Sequence, residues 1–168
     1  MAISARRVDG SFSEALYDFI AGHEGYSAGV YCDARGIPML CTGHAMLANT
    51  PGWPSCDSLE SNLAAIGITL TPRDRALLID IGEALSRHDH AAARAAVERQ
   101  GFSFSMTRLQ ARALFELTRP DVEILLQHKL GRDLMMRLYG SREMIALLSL
   151  AYDDISAIGP DLVSALQE

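Results

Sequence analysis

The stretch AGHEGYSAGVYCDARGIPMLCTGHA, from Ala21 to Ala45, decides the fold of this chain. It begins as the end of a helical pattern and continues as short β-prone runs around DARG, which predict a β-hairpin between Gly29 and Thr42. Gly25 is a good helix stop, so Glu24 is expected in the last turn of the first helix. Asp33 follows nine positions after Glu24, in the predicted hairpin.

Helical patterns precede and follow this hairpin, and most of them begin at capping residues. The helix that Thr71 and Pro72 open is predicted to run to about Ser86. Pro120 is predicted to begin a separate helix, after the one that a Thr-x-x-Gln capping box opens. Further helices are expected from Ser11, from Asp57, over HDHAAARAAVERQG up to Gly101, on both sides of Gly140, and from Pro160.

Composition indicates the fold class. The chain has 168 residues, enough for one domain with a real core, and 49% of them are hydrophobic while only 7% are aromatic. Many alanines and leucines with few aromatics are typical of a helical protein. We therefore predict an α+β fold that is mostly α, with residues 1–168 forming a single domain in which an N-terminal helix and a small β-hairpin pack on a helical bundle.

Charge and hydropathy exclude several functions. The formal net charge of −6 argues against nucleic-acid binding, because no basic face is evident. No apolar run is long enough to span a membrane. Arg6 and Arg7 are not followed by the apolar segment of a secretory signal. We expect a protein made in the cytoplasm without a signal peptide and without insertion into a membrane.

Cysteine and histidine spacing gives no sign of a metal site. Cys32, Cys41 and Cys56 lack zinc spacing, and small buried or half-buried thiols are the favoured interpretation. Cys32 and Cys41 could meet across the hairpin, which would give a disulfide only in an oxidising compartment. The two histidines of HDH at residues 88–90 do not share a helix face, so no metal and no other cofactor is expected.

Glu24 and Asp33 are the candidate catalytic residues. A carboxylate in the last turn of a helix lies at the negative end of the helix dipole beside unpaired carbonyls, and both disfavour its ionised form. Glu24 is therefore suited to keep a proton, as a general acid does. Asp33, near solvent and backbone donors, is suited to stay ionised. Such a pair is typical of glycoside hydrolysis, although the spacing alone also fits two solvated side chains among 21 acidic residues.

The segment from His23 to Ala45 resembles the catalytic segment of the phage-type lysozymes, the endolysin family of muramidases. In that family a Glu ends the first helix, an Asp follows at the same interval on a hairpin, and a Gly-His pair ends the strand. The sequences SMTRLQARALFELTRPDVEILLQHKL and EMIALLSLAYDDISAIGPDLVSAL are similar to the family's later helices, so the resemblance covers residues 13–47 and 103–167. In the catalytic segment the matching residues are Glu24, Gly25, Tyr31, Asp33, Gly36, Gly43 and His44.

The resemblance implies a lysozyme-like fold and divides the chain into four segments. These are an N-terminal arm (1–12), a catalytic helix and hairpin (13–47), an insertion-like loop with helices (49–102), and core helices (103–168). It also implies a glycoside hydrolase, a peptidoglycan muramidase that cuts the β-1,4 bond between N-acetylmuramic acid and N-acetylglucosamine and so lyses the cell wall, with Glu24 and Asp33 as its catalytic residues.

One departure from the family affects the proposed chemistry. The family's Thr, which helps the Asp to hold the attacking water, falls on Met39. Strand alternation would place Met39, Cys41 and Gly43 on one face, with Thr42 on the other beside His44, so Thr42 is a poor substitute unless a bulge shifts the register. Inverting and retaining outcomes therefore both stay open, with inversion favoured.

Four residues are candidates for contacting the substrate: Tyr31, Met39, Thr42 and Trp53. Tyr31 can shape a cleft or pack the hairpin onto the bundle. Trp53, between two prolines, can stack on a sugar face or pin its loop to the core. His44 is expected to be a buried, hydrogen-bonded residue and not a catalyst.

Two other interpretations stay open. A lysozyme-like domain without the family's Thr can bind cell wall or a partner protein without cutting it, and a helical interaction domain would leave both carboxylates solvated. For the muramidase, the expected partner is peptidoglycan, with an inhibitor or immunity protein in addition if the chain is an exported antibacterial toxin. A holin or a secretion system would have to deliver it to the periplasm or the cell wall.

Overall fold

The computed structural model describes residues 6–46 and 56–167, except for the side chains of residues 56 and 57. Within these ranges, eight α-helices and one three-stranded antiparallel sheet confirm the predicted α+β class that is mostly α. The strands are β1 (Ser27–Cys32), β2 (Pro38–Cys41) and β3 (His44–Ala45). The helices are α1 (Phe12–Glu24), α2 (Cys56–Ala65), α3 (Pro72–Ser86), α4 (His90–Gln100), α5 (Arg108–Leu130), α6 (Arg132–Leu138), α7 (Arg142–Asp154) and α8 (Pro160–Gln167), and a 3₁₀ turn spans Ile155–Ala157.

The chain divides into two compact units. The central unit is Glu24–Leu117, and the terminal unit combines Met1–His23 with Thr118–Glu168. The division passes through α5, between Leu117 and Thr118. The whole sheet and Glu24 belong to the central unit. The expectation of a single domain over residues 1–168 stays a prediction.

The sheet of the central unit has the strand order β1–β2–β3 and contains the predicted hairpin. Tyr31 of β1 pairs with Met39 of β2, and Leu40 of β2 pairs with His44 of β3. A register shift lies in β1 between Ser27 and Tyr31. Because paired residues lie on the same face of a sheet, Tyr31 and Met39 share one face, and Leu40 and His44 share the other.

The predicted alternation of residues 39–44 is wrong at Thr42 and Gly43, which lie outside the strands, whereas His44 shares the face of Leu40 as predicted. The backbone φ is +50° at Cys41 and +82° at Gly43, so the chain turns there and forms β3. A tight turn of this kind needs the left-handed region of φ, which glycine enters without steric cost. Thr42 lies in this turn and is buried, with 6% of its surface exposed.

A disulfide between Cys32 and Cys41, which the sequence left possible, does not form. Cys32 is opposite Pro38, so the hairpin register places Cys32 and Cys41 three positions apart along the strands. At roughly 3.3 Å per residue this is about 10 Å, beyond the reach of a disulfide. Both cysteines are free thiols, and burial raises the pKa of Cys41 to about 11.

The core of the central unit gathers apolar side chains from the sheet, from α2, α3 and α4, and from the start of α5. Burying each large side chain stabilises the fold by roughly 1.5–3 kcal/mol. Leu40 brings β2 into this core, so the hairpin is anchored to the helices. The members that are at most 1% exposed are Leu40, Met46, Leu59, Leu63, Leu70, Leu77, Ile81, Ala93 and Leu114.

Helix α5 runs through Pro120, so the predicted separate helix from Pro120 is wrong. The capping box at its start is confirmed, since the Gln110 backbone N–H donates to Thr107 Oγ1 at 3.2 Å and Gln110 Oε1 accepts from the Thr107 N–H at 3.0 Å. A proline inside a helix costs roughly 3 kcal/mol. Packing on both sides of the proline offsets that cost, through the buried residues Ala111, Leu114, Phe115, Thr118, Leu126 and Leu130.

The terminal unit is built on apolar stripes of α1 and α7. Leu16 and Ile20 are buried on α1, and α7 buries Met144, Ile145, Leu147, Leu148 and Ala151.

Across residues 6–46 and 56–167, none of the helices combines the length and the apolar character that crossing a membrane requires.

Helix α3 spans Pro72–Ser86, as predicted, and Asp74 joins its start to the segment before α5. Thr71 Oγ1 accepts from the Asp74 N–H at 3.2 Å, and the Asp74 carboxylate accepts from the Thr71 N–H at 3.1 Å. The buried carboxylate also accepts from the hydroxyl of Ser103 and from its N–H at 2.8 Å. Burial alone would raise the pKa of Asp74, but the hydrogen bonds from Ser103 and Thr71 outweigh it and lower the pKa to about 2.

Asp74→Asn is expected to lower the free energy of unfolding by about 2–3 kcal/mol at neutral pH, because the amide nitrogen cannot accept from Thr71 or Ser103. The pKa of Asp74 is lower in the folded than in the unfolded state. The stabilisation is therefore present above about pH 4 and is lost as the pH falls towards 2. Urea unfolding of both proteins from neutral to low pH measures this, with the exposed Asp80→Asn as the control. A gap between Asp74→Asn and the native protein that stays constant down to pH 2 would contradict the role of Asp74.

Candidate active site

Glu24 is the last residue of α1, as predicted, and its carboxylate lies directly against Gly43. Gly25, with a φ of +74°, ends the helix and leads the chain into β1. A Cβ on Gly43 would lie 2.9 Å from Oε2 of Glu24 and 3.1 Å from its Cδ. A side chain at position 43 would therefore push the Glu24 carboxylate aside, and glycine leaves it in direct contact with the turn between β2 and β3.

Tyr31 is close enough to both candidate carboxylates for their charges to affect it. Partial burial, followed by the negative charge of Glu24, raises the pKa of the Tyr31 hydroxyl, and Asp33 contributes a smaller increase. A backbone hydrogen bond from Gly43 acts in the opposite direction. A phenol with a raised pKa stays neutral at physiological pH and keeps its proton for donation.

Asp33 opens the turn between β1 and β2 and organises it with its side chain. Its Oδ1 accepts from the Ile37 N–H at 2.7 Å, and its Oδ2 accepts from Arg35 Nε at 3.1 Å. Its backbone carbonyl accepts from the Gly36 N–H at 3.0 Å. Because each carboxylate oxygen carries two lone pairs, acceptor capacity remains on both. The side chain is 19% exposed, which leaves it within reach of a ligand.

The turn between β1 and β2 is docked on the start of α4. A nitrogen of the Arg94 guanidinium donates to the carbonyl oxygens of Asp33 at 2.8 Å and of Ala34 at 2.9 Å. Gly36, with a φ of +82°, lies so close that a Cβ on it would be 2.6 Å from the His90 carbonyl oxygen. The candidate base is thus fixed by a helix that starts more than fifty residues later in the chain.

His44 follows Gly43 in β3 and is half-buried, and its buried Nε2 atom lacks the expected hydrogen bond. Among the residues that the structure describes, nothing pairs with this buried nitrogen. Desolvation by burial lowers the pKa of His44 to about 4. The ring is therefore neutral at physiological pH, which places no positive charge in the strand beside Glu24.

The structure brings four of the predicted site residues to one part of the central unit. The charges of Glu24 and Asp33 both reach Tyr31. Met39 is half-buried and pairs with Tyr31 across the two strands, on the same face of the sheet. Thr42 is buried in the neighbouring turn, and its contact with a substrate stays a prediction. Trp53 lies outside the described residues.

Three residues that position this site were not identified as such from the sequence: Gly36, Gly43 and Arg94. The two glycines belong to the family pattern, but their close contacts with His90 and Glu24 follow only from the coordinates. Arg94 carries no local signal, because it is one arginine in an alanine-rich helix. Only the long-range docking of the turn on α4 identifies its role.

The described residues contain no group of three or more His, Cys, Asp or Glu side chains that could hold a metal ion. In the HDH sequence, Asp89 caps α4, since its carboxylate accepts from the Ala92 N–H at 2.9 Å. The side chains described above offer two carboxylates and a neutral phenol, a set suited to proton transfer.

Comparison with protein-family models, with curated proteins and with solved structures gives no match to this chain.

His44 is expected to make stability depend on pH between about 6.5 and 4. Its pKa is lower in the folded state, so the unfolded chain takes up a proton first and stability falls as the pH drops through this window. The slope is about 1.4 kcal/mol per pH unit, and His44→Phe should remove it. Unfolding curves across the window, with the imidazole titration followed by NMR, measure both quantities. Identical pH slopes for the native and variant proteins would disprove this assignment.

Proposed function

We propose that this chain is a muramidase, a glycoside hydrolase that cuts the β-1,4 bond between N-acetylmuramic acid and N-acetylglucosamine in peptidoglycan. The observation that carries the proposal is the placement of Glu24. Glu24 is the last residue of a helix, and its carboxylate lies against Gly43, which leaves room for it. Its negative charge and that of Asp33 both raise the pKa of Tyr31. The resemblance of residues 13–47 to the phage-type lysozymes supplies the substrate.

The two carboxylates take different roles in this proposal. Glu24, at the negative end of the α1 dipole, protonates the glycosidic oxygen as the bond breaks. Asp33, held by donors from Ile37 and Arg35, activates water on the opposite face of the sugar or stabilises the cationic transition state. Tyr31, neutral and beside both, can donate a hydrogen bond to a bound sugar.

Met39 bears on the stereochemistry of the reaction. It stands where the family has the water-holding Thr, and its thioether is only a weak hydrogen-bond acceptor. An inverting enzyme leaves roughly 6.5–9.5 Å between its carboxylates for a water, and a retaining enzyme roughly 5 Å. We propose inversion, with Asp33 holding the water without help from residue 39. The anomer at the newly cut end, resolved before mutarotation, distinguishes the two outcomes.

A second candidate function is the binding of cell wall without cleavage. Two observations favour it: both oxygens of Asp33 already accept hydrogen bonds, and Met39 replaces the residue that would share the water. In either case the protein would act in the periplasm or on the cell wall, after delivery by a holin or a secretion system.

Glu24→Gln tests the enzymatic proposal. The glutamine keeps the shape of the side chain and cannot donate the acid proton, so release of reducing ends from purified cell wall should fall by at least about 100-fold. Glu83→Gln, in an exposed pair with Arg87, is the matched control and should keep full activity. Equal activity of Glu24→Gln and the native protein would refute the role of Glu24. Wall binding by a native protein that releases no reducing ends would favour the second candidate.

Gly43→Ala tests whether the position of Glu24 matters. The added methyl would lie within 2.9 Å of Glu24 Oε2 and displace the carboxylate, so activity should fall about tenfold or more. Gly67→Ala is the matched control, because Gly67 has the same φ of +82° and nothing within 4 Å of its Cβ position. Both variants should lose about 1 kcal/mol of stability through backbone strain. Only Gly43→Ala should lose activity, and an equal loss in both would show that strain alone is responsible.

A further inference from the structure

Helix α5 carries an apolar stripe on its exposed side. Leu109 is 80% exposed, Leu117 43% and Ile124 54%. Ala113 and Pro120 lie between them along the helix and are also exposed. Because these side chains follow one another at intervals of three or four residues, at about 100° per residue they fall within an arc of about 80°. The stripe is set by the periodicity of α5 alone.

The opposite side of α5 is already buried. Leu114, Phe115 and Leu126 are at most 4% exposed. A helix that is apolar on both sides needs a second partner to cover the exposed side. Each of the other helices that the structure describes carries at most one large hydrophobic side chain in the exposed class. The stripe is therefore a contiguous feature of α5, of the kind that marks an interaction surface.

The stripe is almost symmetric about Leu117. Leu109 lies eight residues before it and Ile124 seven residues after it, while Ala113 and Pro120 lie four before and three after. Two copies of α5 that run antiparallel would therefore bring Leu109 against Ile124 of the second copy. Leu117 would meet its own equivalent. A two-fold dimer requires a surface that is complementary to itself in this way.

The charged side chains along one edge of the stripe have the same symmetry. Arg112, Glu116, Arg119 and Glu123 share this edge and alternate in sign. In an antiparallel pair the same edge of both helices meets, so Arg112 comes close to Glu123 of the second copy. Glu116 likewise comes close to Arg119 of the second copy, and opposite charges meet at all four positions. Arg119 and Glu123 pair at 3.3 Å within the helix and stay 20% and 22% exposed.

We propose that two copies of this chain associate through α5, in an antiparallel pair with Leu117 at the two-fold axis. The symmetry of the stripe and the alternating charges favour a second copy over an unrelated protein. The 23 residues of α5 give a face about 34 Å long and 10 Å wide, or roughly 340 Å² per copy. A standard interface buries roughly 800 Å² per partner. The dimer is therefore weak and reversible, and it does not depend on the proposed muramidase function.

Sedimentation equilibrium of the full chain tests the association. We expect a monomer–dimer equilibrium with a dissociation constant between about 10 µM and 1 mM. Leu109→Gln and Ile124→Gln should each weaken it about tenfold, because each removes an apolar contact. Ile79→Gln is the matched control, since Ile79 is 56% exposed on α3. Native protein that stays monomeric at about 1 mM, or an equal effect of Ile79→Gln, would overturn the proposal.

Exchanging the charges tests the antiparallel direction. Arg112→Glu and Glu123→Arg should each weaken the dimer about tenfold, because each brings like charges together, and the double variant should recover the native affinity. The two residues lie eleven positions apart on one helix, about 16 Å, too far to pair within one copy. Recovery in the double variant therefore identifies a contact between copies. A double variant as weak as either single variant would reject this pairing.

Introduced cysteines test the register. Oxidation should link two copies of Leu117→Cys, because residue 117 meets its equivalent at the axis. It should not link two copies of Leu109→Cys, whose Cα atoms lie about 24 Å apart in an antiparallel pair, beyond the reach of a disulfide. A mixture of Leu109→Cys and Ile124→Cys should give the mixed dimer.

The native protein, with its three cysteines, measures the background of this experiment. Linkage of Leu109→Cys to itself above that background would show a parallel pair and contradict the proposal. Leu117→Cys that links no better than the native protein would reject Leu117 as the residue at the axis.

Discussion

The two hydrogen bonds from Arg94 to the backbone of the hairpin turn fix the geometry on which the candidate active site depends. A two-stranded hairpin is marginally stable in water by itself. Here β3 extends the sheet, Leu40 anchors it in the core, and Arg94 holds the far end at the carbonyls of Asp33 and Ala34. The carboxylate of Asp33 is thus positioned by its own backbone, which a distant helix holds in place.

Gly36 and Gly43 allow the two turns of the sheet to lie close to their neighbours, because a Cβ at either position would contact another group. Gly36 brings the turn against the His90 carbonyl at the start of α4, and Gly43 brings the second turn against the Glu24 carboxylate. The first contact fixes the turn that carries Asp33, the candidate base, and the second leaves room for Glu24, the candidate acid. Both glycines also have a φ of +82°, so a side chain at either position would be strained in addition to meeting its neighbour.

Local signals in the sequence predicted most of the helices and the hairpin, but not the long-range contacts between them. Thr71 and Pro72 fixed the start of α3 because capping is decided within one helical turn. The same local reasoning failed at Pro120, where packing along α5 outweighs the cost of a proline. It also failed at Cys41, whose turn depends on the glycine two residues later. Glu24 and Asp33 could be named as candidates from the sequence, whereas Arg94 could not, because no pattern near it indicates a contact with the hairpin.

Asp33 organises the turn between β1 and β2 and is also the candidate base, and these two roles have different requirements. As the organiser of the turn it needs donors on both oxygens, and the structure supplies Ile37 and Arg35. As a candidate base it needs an oxygen that can accept a proton from water. The two bonds differ in permanence, because the Ile37 donor is backbone and Arg35 is an exposed side chain. Oδ1 therefore holds the turn through a backbone donor, and Oδ2 is the oxygen whose hydrogen bond contributes less to the fold.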